Sequence, residues 1–236
     1  MTKKQPSDFI CIAHRGASGN WPENTLLAFQ KALAAGARWL ELDVHLSRDG
    51  QLMVIHDATL QRTTNGRGPV GQYSQQELRQ LDAGSGEKIP LLEEVLDLAR
   101  GRALVNIELK GKGTGEVVAA MLRRRFAAQK LEPSEILASS LYEEELRKVS
   151  GRLPQVPLAL VAERANPHLW QLAEELNAWS LNLEKSSINQ ALLEEAGKRN
   201  KLVLAYTVNS CKQMMNLKRL GVAGVFTDFP EKFVGA

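Results

Sequence analysis

Cysteine is scarce in this chain: 236 residues carry only Cys11 and Cys211, far apart and with no Cys-x-x-Cys pair. That excludes a disulfide scaffold, a zinc ribbon and a dithiol redox motif, and it fits a reducing compartment. Long apolar runs are missing too. Nothing approaches the roughly 18 residues of a membrane span. Ahead of His14 only five consecutive apolar residues occur, Phe9 to Ala13, against roughly 7 to 15 in a secretion signal. The expected location is therefore the cytoplasm. Charge of one sign is lacking as well, since the net charge is +3 with bases scattered among acids. The densest basic cluster, Arg123 to Arg125, is short and reads as a solvated helix face, so no nucleic-acid partner is expected. No Gly-x-Gly-x-x-Gly follows the first strand-like run, which argues against an open, doubly wound nucleotide-binding sheet.

What is present is the composition of a globular protein, 44% hydrophobic and 24% charged. Strand-like runs occupy 9–14, 38–44, 103–109, 134–139, 157–162, 179–183, 201–208 and 222–228. They alternate with helical patterns over 24–35, 91–100, 114–129, 142–150, 167–177, 188–199 and 210–219. In the second helical pattern Leu92, Val95, Leu96 and Ala99 fall at i, i+3, i+4 and i+7. Such alternation implies βαβ units and a parallel sheet, and eight repeats close it into a (β/α)8 TIM barrel, one domain over 1–236.

Residues 51–57 (QLMVIHD) form a ninth strand-like run. Asp49-Gly50 separates it from the second strand by too little chain for a crossover helix, so a hairpin is expected. A tight turn there pairs positions summing to about 99 and sets His56 beside Asp43. From about 57 to 88 the chain is rich in Gly, Thr and Ser, broken by a short helix with a Ser74/Glu77 capping box. This small insertion between the second strand and second helix, an excursion of about 45–88 with the hairpin included, is expected above the C-terminal mouth of the barrel.

The chemistry lies in period two. Along ELDVHL, Trp39, Glu41, Asp43 and His45 share one face and Leu40, Leu42, Val44 and Leu46 the other. The apolar face suits the outer helices, so the polar face looks inward. The third strand repeats the pattern with Asn106, Glu108 and Lys110. Three inward carboxylates, Glu41, Asp43 and Glu108, need compensation, since each costs several kcal/mol unpaired. They form a hard oxygen site suited to one divalent cation, Mg2+ or Ca2+. The alternative is a buried ion network neutralised by Lys110, Arg15 and a histidine.

His14 closes the first strand, and with His56 opposite it makes a candidate acid/base pair, imidazole being the side chain suited to that work near neutral pH. Arg15 offers a planar fork and Lys110 a point charge for an anion, with phosphate esters the obvious class. Other polar residues read less sharply. His45 takes a solvated or hydrogen-bonded role and His168 a surface one. Asn24 and Thr25 read as a helix cap, and Asp228 as a ligand or a turn cap. Tyr206, Thr207 and Asn209 line the pocket wall or belong to the core.

These residues resemble the glycerophosphodiester phosphodiesterase family. AHRGASGNWPENTLLAF is similar to its opening His-Arg-Gly and Pro-Glu-Asn-Thr signature, and ELDVHLSRDGQLMVIHD to its central one. NIELK, AYTVN and GVFTDFP resemble its later strands in order. The resemblance implies a (β/α)8 barrel with one divalent cation that hydrolyses glycerophosphodiesters, such as glycerophosphocholine, to glycerol 3-phosphate and an alcohol. It implies His14 and His56 as acid/base pair, Glu41, Asp43 and Glu108 as metal ligands, and Arg15 and Lys110 on the phosphate. Tyr206 stands where the family often has Trp, which bears on substrate preference.

Three rivals share parts of this pattern. A metal-dependent amidohydrolase needs several histidine ligands, typically with a His-x-His pair, and this chain has four histidines and no such pair. A sphingomyelinase-like phospholipase has a related site but acts at membranes. A non-catalytic phospho-ligand binding module fits a chain lacking a histidine or an acid, and none is missing here.

Overall fold

The structure, a computed structural model, describes residues 9–233. The segment up to residue 8, part of the stretch read for a secretion signal, lies outside them. In chain order the elements are β1 (Ile10–His14), α1 (Leu26–Ala34), β2 (Trp39–Leu46), β3 (Leu52–Val54), α2 (Gln75–Leu78), α3 (Leu92–Ala99), β4 (Leu104–Leu109), α4 (Thr114–Ala127), β5 (Ile136–Ser140) and α5 (Glu143–Arg152). They continue with β6 (Leu158–Ala162), α6 (Pro167–Glu175), β7 (Ser180–Glu184), α7 (Gln190–Lys198), β8 (Leu202–Tyr206), α8 (Cys211–Leu220) and β9 (Gly224–Thr227).

Eight of the strands close a parallel barrel, in the order β1, β2, β4, β5, β6, β7, β8, β9 and back to β1. The alternating pattern dictates the closure. Leu40, Leu42 and Val44 of β2 and Val105, Ile107 and Leu109 of β4 pack outward into the core shared with the helices. Among the helical partners, α3 buries Leu92, Val95, Leu96 and Ala99. Each larger side chain of that kind contributes about 1.5–3 kcal/mol. A one-residue slip of β2 would exchange these residues for Glu41 and Asp43, so the register is strongly specified. Seven of the helices lie outside the barrel in the places the periodicity predicts. After β9, Pro230–Lys232 form a 3-10 turn rather than an eighth helix.

The barrel interior changes character along its axis. One zone is apolar: Ile10, Ile12, Leu204 and Phe226 pack with Trp39 and Trp179, whose rings stack 5.8 Å apart. Asn106, Ser139 and Asn182 are buried polar residues. Beyond them the carboxylates gather at the strands' C-terminal ends. Among the described residues, no helix is long and apolar enough to cross a membrane.

Two expectations need correction here. The β2–β3 hairpin pairs Val44 with Val54 and His45 with Met53, one residue away from the predicted register. The turn is longer than a two-residue one: the Ser47 N–H donates to Gln51 O and the Gly50 N–H to Ser47 O, both at 3.0 Å. β3 then ends at Val54, and the Ile55 N–H still donates to Asp43 O. His56 is thereby carried past Asp43 towards the mouth. Second, Arg125 is not on a solvated face. It is buried and paired with Asp97 of α3, whereas Arg123 and Arg124 are exposed.

Candidate active site

Strand ends deliver the functional side chains to one cavity of about 280 Å³, lined by His14, Arg15, Glu41, His56, Glu108 and Lys110 with Tyr206, Thr207 and Phe226 on its walls. The registers explain the convergence. His14 of β1 pairs with Glu41 of β2, and Asp43 of β2 pairs with Glu108 of β4. Oxygen atoms of Glu41, Asp43 and Glu108 lie within 4.8 Å of one another.

Glu41 and Asp43 are each 1% exposed. One oxygen of each is bonded: the Arg15 N–H donates to Glu41 Oε2 at 2.9 Å, and the Asn24 amide donates to Asp43 Oδ2 at 2.9 Å. Glu41 Oε1 and Asp43 Oδ1 are buried without a hydrogen-bond donor. Lys110 Nζ bonds Glu108 Oε1 at 2.8 Å but stands 3.6 Å from Asp43 Oδ1. Arg15 Nε lies 3.2 Å from Asp43 Oδ2. The counter-ions of the ion-network alternative are thus present, yet they leave two buried carboxylate oxygens without a hydrogen bond.

Electrostatics follows from that packing. Burial, then the charges of Asp43 and Glu108, push the Glu41 carboxyl well above its usual range. Burial and then Asp43 push Glu108 up as well. Burial also works against ionised Asp43, but Arg15, Lys110, His56 and the Asn24 hydrogen bond outweigh it and bring its carboxyl down. Two reluctant acids beside one ionised acid, with bare oxygens between them, are a donor set that fits a hard dication. Three ligands are fewer than such an ion takes, so a dication held here would leave positions for water or substrate oxygens.

Each lining histidine is held by a carboxylate. His14 Nδ1 lies 2.7 Å from Asp228 Oδ1, and His56 Nδ1 lies 2.6 Å from Asp57 Oδ1. An ionised carboxylate only accepts, so the proton sits on Nδ1 and Nε2 is left for chemistry in the cavity. Burial raises Asp228, but His14, Asn209 and Ser18 more than offset it and bring its carboxyl down to about 2. Asp57 is held below the usual carboxylate range, chiefly by its bonds to Arg62. Tyr206 keeps its hydroxyl proton, pushed up to about 12 by burial and then by the charge of Glu108.

All seven residues singled out in the sequence therefore meet at one mouth, with Asp43 just beneath the cavity surface. Others take different places. Thr25 caps α1, accepting from the Ala28 N–H at 3.2 Å. Asn24 does not cap; with φ of +58° it bonds Asp43 through both its amide nitrogen and its oxygen. His45 is buried rather than solvated, and its Nε2 bonds His56 O at 3.0 Å. His168 is exposed beside Glu143. Asp228 caps no turn with its side chain; it orients His14 and is held in turn by the Asn209 amide at 2.6 Å. Asn209 supports Asp228 and does not line the cavity. Nor does any residue of 57–88, so the excursion flanks the cavity instead of covering it.

Residues 14–232 match the model of the glycerophosphoryl diester phosphodiesterase family. A glycerophosphodiester phosphodiesterase of Bacillus altitudinis is 36% identical over 239 residues, covering 94% of this chain and 96% of its own. One from Caldanaerobacter subterraneus subsp. tengcongensis is also 36% identical, covering 95% of this chain and 96% of its own. A phosphodiesterase from Oleispira antarctica, solved in complex with the product sn-glycerol-3-phosphate, superposes with a TM-score of 0.88 at 31% identity, covering 95% of each chain.

Proposed function

The chain belongs to the glycerophosphoryl diester phosphodiesterase family and is a phosphodiesterase; from that premise we propose that it hydrolyses glycerophosphodiesters, such as glycerophosphocholine and glycerophosphoethanolamine, to sn-glycerol 3-phosphate and an alcohol. The whole chain acts as one barrel domain in the cytoplasm, with 45–88 as its inserted excursion. The observation that carries the chemistry is the trio of acids with two bare buried oxygens, faced by two carboxylate-held imidazoles.

Glu41, Asp43 and Glu108 hold one Mg2+ or Ca2+, which when bound supplies charge stabilisation to the phosphoryl oxygens. Arg15 and Lys110, kept charged by their acidic neighbours, orient the phosphate. Nε2 of one histidine takes the proton of the attacking hydroxyl, from water or from the vicinal glycerol hydroxyl. As the P–O bond to the alcohol breaks, Nε2 of the other histidine gives that oxygen a proton. Asp57 and Asp228 stabilise whichever ring carries the positive charge, without themselves taking the proton.

The test is incubation with glycerophosphocholine, with and without chelator. Glycerol 3-phosphate formed only without chelator supports the proposal; equal release in both sinks the cation requirement. Trapping a cyclic glycerophosphate decides for attack by the glycerol hydroxyl over direct attack by water.

A further inference from the structure

Residues 57–88 line no part of the cavity, yet one of their side chains reaches, through Asp57 and Glu23, two residues that do. Arg62 donates from Nε to Asp57 Oδ2 at 2.8 Å and from its second terminal nitrogen to Asp57 Oδ1 at 2.9 Å. The same guanidinium bonds Glu23 Oε2 at 2.7 Å and Glu23 Oε1 at 2.8 Å. Asp57 Oδ1 is the atom that holds His56, and Glu23 Oε1 is the atom that accepts from Arg15 at 2.9 Å. A continuous ladder of ion pairs thus runs from His56 through Asp57, Arg62 and Glu23 to Arg15.

From this we infer that Arg62 is a positioning residue, a single fork that fixes the catalytic imidazole of His56 and the phosphate-binding guanidinium of Arg15 relative to one another. The inference rests on the roles proposed above for those two residues. Its geometry is specific to arginine: two bidentate contacts from one planar group are beyond a lysine. Without the fork, Asp57 and Glu23 face each other as like charges, and each is free to swing with its partner. A displacement of 1 Å in a reacting group is enough to lower the rate about a hundredfold.

The excursion is built to hold this residue still. Leu60, Val70, Leu78, Ala83 and Ile89 form a small core with Met53 and Ile55 of the hairpin arm. Arg62 sits in a turn closed from Thr64, whose N–H and hydroxyl both donate to Leu60 O, at 3.0 and 2.7 Å. Burial of the guanidinium is partial, so its exposed edge adds little stability; the consequence of the ladder is orientation. The depressed carboxyls of Asp57 and Glu23 agree with strong engagement of the fork.

The test is R62M, which keeps an apolar stem and loses the fork, assayed on glycerophosphocholine. The expected result is a kcat lower by about ten- to a hundredfold and a KM raised several-fold, with an unchanged circular dichroism spectrum. D57N should reproduce the kcat effect and E23Q the KM effect. In an H56A background R62M should leave the residual kcat unchanged and still raise KM. Wild-type kcat and KM in R62M, beside an H56A of low activity, overturn this inference alone, as does an equal loss of kcat in the H56A background. Full activity in H56A overturns the histidine mechanism and this inference with it. If R62M does not fold, R62K carries the same comparison and the same outcomes.

Discussion

Replacing Glu41 by Gln is expected to make the cation-free protein more stable and the cation-bound protein less so. Glu41 is fully enclosed, and its oxygen lies within 4.8 Å of oxygens of Asp43 and Glu108. Two unit charges at that distance repel by about 3.5 kcal/mol at an effective dielectric of 20. The opposing charge of Arg15 takes back part of this, leaving about 2 kcal/mol to be gained when the charge is removed. Gln keeps an oxygen to accept from the Arg15 N–H, so that hydrogen bond survives. For a chain of this size each kcal/mol moves the melting temperature by about 2–4 °C, so E41Q should melt about 4–8 °C above wild type in chelator. Adding Mg2+ or Ca2+ at about a hundred times its dissociation constant should stabilise wild type by about 2.7 kcal/mol and E41Q hardly at all. The two melting curves should therefore change order on titration with the cation, a readout independent of activity. If E41Q melts below wild type in chelator and neither protein responds to either cation, the acids are a structural ion network and the reasoning fails.

Three further outcomes are expected. His14→Ala and His56→Ala should each lower turnover about 10² to 10⁴-fold with the fold retained, and full activity in either variant would remove that histidine from the mechanism. Asp228 ionises at about 2 when folded against an ordinary 3.8, so it contributes about 2 kcal/mol of stability above pH 4 that is lost as the pH falls through 2. Acid titration followed by circular dichroism should show a shallower loss over that window in D228N; identical acid limbs would contradict it. Gly16 holds φ of +83°, and a Cβ there would stand 2.7 Å from the Ala28 carbonyl carbon. G16A should lose about 2–4 kcal/mol and melt roughly 5–15 °C lower, and an unchanged melting temperature would show that the His-Arg-Gly turn has room to move.

The barrel was legible because its information is local. A period of two along Trp39 to Leu46 and of 3.6 along Leu92 to Ala99 names each element without knowledge of its neighbours. Glu41, Asp43 and Glu108 were found the same way, as polar residues on strand faces that barrel closure turns inward. The hairpin register was missed by one because Asp49-Gly50 suggested a two-residue turn, whereas Ser47 and Gln51 close a longer one.

The supporting residues were not legible because their partners are remote in the chain. His14 meets Asp228 across 214 positions, and Arg62 meets Glu23 across 39. Asn24 sits in a helix-start motif, where its type is explained by capping, so nothing local signals its bonds to Asp43. Asp57 is the exception, since it directly follows His56 and a His-Asp neighbour pair was open to inspection. Arg125 shows the same limit outside the site: its burial depends on Asp97 in another helix.

The supporting charges also bear on what the cation is for. With Glu41, Asp43 and Glu108 all ionised, as the binding of a dication requires, Arg15 and Lys110 alone would leave the mouth one charge negative, which disfavours a phosphodiester anion. A dication held by the acids, as proposed, turns that balance to one charge positive. At 4 Å and an effective dielectric of 20 each unit charge is worth about 4 kcal/mol to a bound anion, and the charges of Arg15 and Lys110 are opposed by the Asp43 and Glu108 carboxylates they pair with. Chelation should therefore weaken substrate binding as well as slow the chemical step, and the histidines, intact in both states, should not rescue either.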